Sequence, residues 1–251
     1  TLREGKTMDV QCESNEIRKP RYETDSRGVF GIRRLGLVPL VEGRPANDDD
    51  PGTSSVTLVT TATSTIVVDS GAPNVSDEIQ KSLNEVELPL EKVNVLVTTR
   101  IDPDYIGNDK LFTHALQHLS MEDWSEVRGE TGRRVAINTP YHWIDKYVKI
   151  VRTPFASGGS MVIIFHVPDV TYILEPETID LAGKNIGIVG GVIESNKSPV
   201  VIEAMEAIKK MGDDYIKRPQ EITSIKDLIL YCDYIIPGRG PMFSTRPDEK
   251  C

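Results

Sequence analysis

The run TTRIDPDYIGN (98–108) sets Asp102 and Asp104 two residues apart, with Arg100 before them and Tyr105 after. Far downstream, PGRGPMF (237–243) carries Arg239 between two glycines. Carboxylate oxygens suit hard divalent cations. Asp102 and Asp104 could contribute oxygens to a site for one Mg²⁺ or Mn²⁺, and Arg100 or Arg239 could clamp a phosphate or carboxylate. Without the cation, the two arginines describe a module that binds an anionic small molecule. If the opposite charges satisfy one another instead, they form a salt-bridge network with no chemistry of its own.

The remaining chemically able residues are less well placed. The chain has four histidines. His114 and His118 share the i, i+4 spacing that puts two imidazoles on one helix face, but no glutamate base lies between them as in H-E-x-x-H, so a surface or packing role is favoured. His142 lies between Tyr141 and Trp143 and could stack or cap a groove. His166 falls in an apolar strand, facing outward. GKNIGIVGG (183–191) lacks the G-x-G-x-x-G spacing and reads as turn-rich. Asp69 and Ser70 in VVDSG read as supports for the 98–108 loop. A nucleophilic Ser70 or Ser160 would need a base that the sequence does not place. Cys12, Cys232 and Cys251 are too scattered for a disulfide framework or a zinc knuckle. Cys232 reads as buried packing and Cys251 as exposed.

The elements that must position these residues are mostly strands. LGLVPLVEG (35–43) is the first credible one. VTLVTT (56–61) and STIVVDSG (64–71) form a hairpin pattern. A helix follows, with Ser76 as N-cap, Asp77 and Glu78 in its first turn, and Ile79, Leu83 and Val86 at helical spacing. VNVLVTT (93–99) reads as a buried strand leading into the acidic loop. Residues 110–123 are helix-compatible. VAINTP, YVKIVRTP and MVIIFHV read as strands, and VPDVTYILE as a turn at Pro168 and Asp169 with a returning strand. Ser198 and Pro199 open a helix to about 211, 224–232 forms another, and DYIIPGRGPMF closes the chain as a strand and loop. This order suggests packed sheets with helices outside.

Composition sets outer bounds. The 251 residues are 39% hydrophobic, enough for one sizeable core. No stretch approaches the roughly 20 apolar residues of a membrane span. TLREGKTMDV lacks a signal-peptide core, and Thr1 in place of Met is consistent with a trimmed start. Residues 1–35 read as an arm, with Arg18, Lys19, Arg21, Arg27, Arg33 and Arg34 as its basic stretch, and 36–251 as the folded domain. A net charge of -9 disfavours direct nucleic-acid binding. Sparse cysteine implies an intracellular compartment, cytoplasmic or nuclear.

Four segments resemble the metallo-β-lactamase superfamily, in its glyoxalase II-like branch, over about 37–243. They are IVVDSGAP (66–73), TTRIDPDYIGN followed by Leu111 and Phe112, VRTPFASGGSM (151–161), and DYIIPGRGPMF (233–243). The resemblance implies an α/β fold, an αββα sandwich of two facing mixed β-sheets with helices on the outer faces. It also implies a dinuclear zinc site of histidines and aspartates that activates water. The signature H-x-H-x-D-H falls on Arg100, Asp102, Asp104 and Tyr105. The third-loop histidine falls on Ala156, the bridging aspartate at or beside Glu175, and the last histidine on Arg239. Only Asp104 keeps the expected type, and arginine has no lone pair for a metal. The positions the resemblance assigns also imply an alternative, a residual single-metal hydrolase or phosphoesterase in which Asp102, Asp104 and Glu175 hold one Mg²⁺ or Mn²⁺ and Arg100 and Arg239 clamp a phosphate or carboxylate.

The resulting expectation is a pseudoenzyme with no catalytic residue, no cofactor and no bound metal. It would act as a protein-interaction or scaffold subunit, as a homodimer or in a heteromeric complex, away from membranes. An RNA-processing or regulatory assembly is the setting suggested by analogy of fold.

Overall fold

A computed structural model describes residues 23–24, 30–31, 36–124, 133–156, 159–167, 181–211 and 220–246. Glu175, Pro168 and Asp169, all six residues of the basic stretch, Cys12 and Cys251 lie outside them. Two short strands, β1 (Glu23–Thr24) and β2 (Phe30–Gly31), pair antiparallel. The main body starts with β3 (Gly36–Val41), β4 (Val56–Thr60) and β5 (Thr65–Val68), an antiparallel run. After α1 (Ser76–Glu85) come β6 (Val95–Val97), the one-turn α2 (Pro103–Ile106), β7 (Leu116–Ser120) and β8 (Arg134–Ile137). Strands β5 to β8 are mutually parallel, giving a six-stranded sheet in sequence order β3 to β8.

The second sheet contains β9 (Tyr141–Trp143), β10 (Val148–Arg152), β11 (Met161–His166), β12 (Asn185–Gly190), β13 (Tyr234–Pro237) and β14 (Phe243–Ser244). Its spatial order is β14-β13-β12-β11-β10-β9, with β12 and β13 parallel and the other neighbours antiparallel. Between β12 and β13 lie α3 (Pro199–Met211) and α4 (Ile225–Tyr231).

The two-residue period of a strand separates three layers. Val59, Ile66, Val68, Val95 and Val97 of the first sheet meet Ile150, Ile163, Phe165, Ile188 and Ile236 of the second in the central layer. Their neighbours Leu58, Val67 and Leu96 turn the other way, onto Ile79 and Leu83 of α1. Val162, Ile164, Val189 and Ile235 likewise turn onto Val201 and Ile208 of α3 and Leu228 and Ile229 of α4. The result is an αββα sandwich. At about 25 cal/mol per Å² of apolar surface, each fully buried Leu, Ile or Val adds roughly 1.5–3 kcal/mol toward the conformational entropy lost on folding.

The helix boundaries are local in origin. The Ser224 hydroxyl caps α4 by accepting from the Asp227 amide (3.1 Å). Ser76, expected to cap α1, is instead its first helical residue. Val75 stands at the cap, because Pro73–Val75 already form a 3-10 turn feeding the helix. Two further expectations change. Residues 110–123 form no α-helix: after a 3-10 turn at Asp109–Phe112 the chain enters β7 and leaves it in a turn. Phe112, Ala115 and Leu119 mimic a helical period, but pairing of β7 with both β6 and β8 decides the conformation. GKNIGIVGG is not turn-rich but forms β12. Its Gly187 is needed because a Cβ there would lie 2.8 Å from the Sγ of Cys232, whose thiol is fully buried.

Candidate functional site

Parallel strands send their following loops out at one end of a sheet. In this chain β5 and β6 do so in the first sheet, and β12 and β13 in the second. The loops meet there, Gly71 after β5 bridging Ile106 after β6, and the β3–β4 connection is tied to the loop after β13. Ser55 Oγ donates to Pro237 O (2.8 Å), the Ser55 amide donates to Gly238 O (2.8 Å), and the Gly240 amide donates to Gly43 O (2.6 Å). Gly190 and Gly238 permit the close approach. A Cβ on Gly190, whose φ is 48°, would lie 2.1 Å from Thr99 Oγ1, and one on Gly238 would lie 2.6 Å from Gly190 O.

Below the surface of this end lies a buried polar network. Asp69 leaves β5 at φ 59°, a left-handed conformation that Asp and Asn tolerate better than most side chains. Its carboxylate accepts from the Thr99 amide and the Thr99 hydroxyl, both at 2.7 Å, and so fixes where the 98–108 loop leaves β6. Burial pushes this carboxyl well above the usual carboxylate range, while the two Thr99 hydrogen bonds pull it back. Beside it, Ser70 Oγ donates to Asp109 (2.7 Å) and Gln117 Nε2 donates to the same carboxyl (2.6 Å). Burial pushes Asp109 up to about 6. Asn108 closes the loop by donating to Ser70 O and Ala72 O. Asp69 and Ser70 therefore brace the loop, as their place in VVDSG suggested.

Above the network lies a cluster of charges. Arg239 Nη2 donates to Asp104 Oδ2 at 2.8 Å, and its Nη1 lies 3.3 Å from Glu194 Oε2. Arg100 pairs with Asp102. The Arg239 amide also donates to Glu194 O (2.7 Å), which fixes one loop of the second sheet against another. Tyr105 is almost fully buried, and its hydroxyl has no hydrogen-bond partner among the described residues. A Cβ on Gly191 would lie 3.1 Å from that hydroxyl and 3.0 Å from Arg100 Nη1, and one on Gly238 would lie 2.8 Å from the hydroxyl. The phenol thus points in among both arginines' loops. Burial, then the Glu194 charge, raises its pKa.

The structure therefore brings Arg100, Asp102, Asp104, Tyr105 and Arg239 to one place. Ala156 is exposed in the β10–β11 connection, its amide donating to Thr153 O (3.0 Å), and takes no part in the ion pairs. Glu194 went unnoticed in the sequence. The only signal for it was an acidic residue shortly after the Gly-Gly that ends a strand, and recognising it required β12 and β13 to be seen as parallel neighbours.

The histidines lie elsewhere. His114 is exposed, its Nε2 3.0 Å from Leu90 O, whereas His118 is buried in β7, so no helix face unites them. His118 instead lies 5.4 Å from the His142 ring, centroid to centroid, and burial followed by the His142 charge lowers it to about 4. His166 is half-buried, stacks on Trp143 and lies 2.7 Å through Nδ1 from Asn185 Oδ1.

No protein-family model matches the chain, and no curated protein matches its sequence. Among solved structures, a protein from Thermotoga maritima assigned as a metallo-beta-lactamase aligns with a TM-score of 0.62 at 15% identity, over 84% of this chain and 99% of that one. The chain has the metallo-β-lactamase fold. A B3 metallo-beta-lactamase with an active-site glutamic acid also aligns, with a TM-score of 0.49 at 16% identity over 76% of this chain and 77% of its own. One from Novosphingobium pentaromativorans aligns with a TM-score of 0.48 at 12% identity, over 74% and 70%.

The zinc pair implied by the resemblance does not fit the side chains of this metallo-β-lactamase fold. Two of the assigned positions carry guanidinium groups, which donate and cannot coordinate. Asp104 is engaged by one of them. Among the described residues, no group of three or more His, Cys, Asp or Glu side chains is arranged to hold a metal ion. Among the same residues, no helix is long and apolar enough to cross a membrane.

Proposed function

We propose that this chain is a catalytically inactive member of the metallo-β-lactamase superfamily, retained as a protein-interaction or scaffold subunit. The observation that carries the reading is the Arg239–Asp104 ion pair. It ties up the one described position that keeps the metal-ligand type the resemblance calls for. It also places a permanent positive charge where a zinc site needs lone pairs. Asp102 and Asp104, the described donors of the single-cation alternative, are both engaged by arginine, which weighs against that alternative.

The interaction half of the reading draws support from the edge strand β9. Tyr141 is 58% exposed and Trp143 is 46% exposed there, and large aromatics of this kind are enriched in protein interfaces. The partner is a second copy or a different protein, in a regulatory or RNA-processing assembly.

The test has two parts. Protein purified from zinc-supplemented cells is assayed on β-lactam, thioester and phosphodiester substrates, with added Zn²⁺ and with added Mn²⁺. No metal-dependent turnover is expected, and turnover that Asp104→Asn abolishes would overturn the reading. Affinity purification from the native source, with light scattering on the purified chain, then identifies the partner. A monomer that captures nothing at any salt concentration removes the scaffold role.

A further inference from the structure

The charged cluster has an uneven composition. Asp102, Asp104 and Glu194 supply three carboxylates, whereas Arg100 and Arg239 supply two guanidinium groups. The carboxylates come from both halves of the molecule: Asp102 and Asp104 from the loop after β6, and Glu194 from the loop after β12. Arg239 is the group that touches both halves, through Asp104 on one side and Glu194 on the other. Three polar atoms of this cluster are buried without a hydrogen bond among the described residues: Tyr105 Oη, Glu194 Oε2 and Arg239 Nε. Glu194 Oε2 is compensated by charge alone, 3.3 Å from Arg239 Nη1.

Oxygen atoms from two loops gathered round one positive charge make the usual environment of a hard divalent cation. We infer that the Arg239 guanidinium is the resident cation of this cluster: a tethered positive charge that holds the loops of the two sheets together as a bound metal otherwise would. The inference concerns what stabilises the loops, and it does not depend on whether the chain has turnover. It carries a specific consequence. With the guanidinium removed, Asp104, Glu194 and the Tyr105 hydroxyl are left as oxygen donors around a vacated cationic position, and Mn²⁺ is the probe suited to them.

The experiment compares thermal unfolding of the full chain and its Arg239→Met variant in NaCl and in MnCl₂ at equal ionic strength. Mn²⁺ binding is counted in parallel by electron paramagnetic resonance. The unmodified chain is expected to show no Mn²⁺-specific change in Tm and no retained Mn²⁺. R239M is expected to lose about 2–4 °C in NaCl, to recover at least half of that in MnCl₂, and to retain one Mn²⁺ per chain. Adding Glu194→Gln to R239M is expected to abolish both the recovery and the retained Mn²⁺. If R239M does not fold, Arg239→Lys decides the matter. It keeps a positive charge, and its Tm is expected to stay within about 2 °C of the unmodified chain, with no response to Mn²⁺. The inference is overturned by an R239M that is as stable as the parent, by an R239M loss that Mn²⁺ does not reverse, by an unmodified chain that Mn²⁺ stabilises equally, or by an R239K that also fails to fold. Absence of turnover in the unmodified chain, the test of the functional reading, is read separately and is unaffected by any of these outcomes.

Discussion

Two polar regions lie one above the other at the same end of the sandwich, and they are built differently. In the lower one, Asp69, Thr99, Ser70, Asp109 and Gln117 are all buried and joined by hydrogen bonds of 2.6–2.7 Å. In the upper one, Arg100 and Asp102 are 38% and 43% exposed, and Arg239 and Asp104 are 35% and 24% exposed. Buried polar groups are costly to strand, because removing one partner leaves the other without water. Partly exposed ion pairs are cheap to alter, because solvent replaces the lost partner. The lower network therefore fixes where the 98–108 loop leaves its strand, and the upper cluster ties that loop to the second sheet at a smaller cost per side chain removed.

The sharpest way to break this contrast is Asp69→Ala. It strands the Thr99 amide and hydroxyl and places alanine at φ 59°. A loss of about 2–4 kcal/mol is expected in urea unfolding. A loss below 1 kcal/mol would make the lower network no stiffer than the upper.

The next effect is one of pH. Asp109 has its pKa raised by burial to about 6, above its unfolded value near 3.8. A folded state that holds the proton more tightly is most stable below the unfolded pKa, and it loses stability as pH rises from about 4 to about 6. The unfolding free energy from urea titrations should therefore decline over that window by an amount on the order of 3 kcal/mol. Asp109→Asn should flatten the decline. Asp69, raised in the same direction, leaves a residual slope.

Smaller still is Tyr105→Phe. Because the hydroxyl is buried without a partner, its removal is expected to be neutral or to stabilise by up to about 1 kcal/mol. Thermal melts that fall by more than 3 °C would reveal a bond to that hydroxyl. The smallest expected change is Arg100→Ala, within about 0.5 kcal/mol of the parent and smaller still at 0.5 M salt.

The same contrast explains what was legible in the sequence. Strand patterns such as VTLVTT, STIVVDSG and MVIIFHV announced buried β-structure, because β-branched runs have few other uses. Positions 100, 102, 104, 105 and 239 could be grouped because two short motifs that carry the family resemblance hold them. Glu194 could not, since nothing local marks a glutamate that meets an arginine 45 positions away across parallel strands. Asp109 and Gln117 were hidden for a related reason. Gln117 lies in the 110–123 stretch that reads as helix-compatible and Asp109 just before it, so nothing in the sequence brought together a carboxyl and an amide that meet across a turn and a strand. For His114 and His118 the favoured surface or packing role agrees with an exposed His114 and a buried His118, and the helix face their spacing offered gives way to strand pairing.

Cys232 offers a means of observing the molecule in motion. Its sulfur is sealed between the second sheet and the helices that cover it, against the bare backbone of Gly187. A thiol reagent can reach it only when that covering layer lifts. With Cys12 and Cys251 replaced by serine, the labelling rate becomes a stopwatch for how often that layer opens, in a part of the protein remote from its charged end.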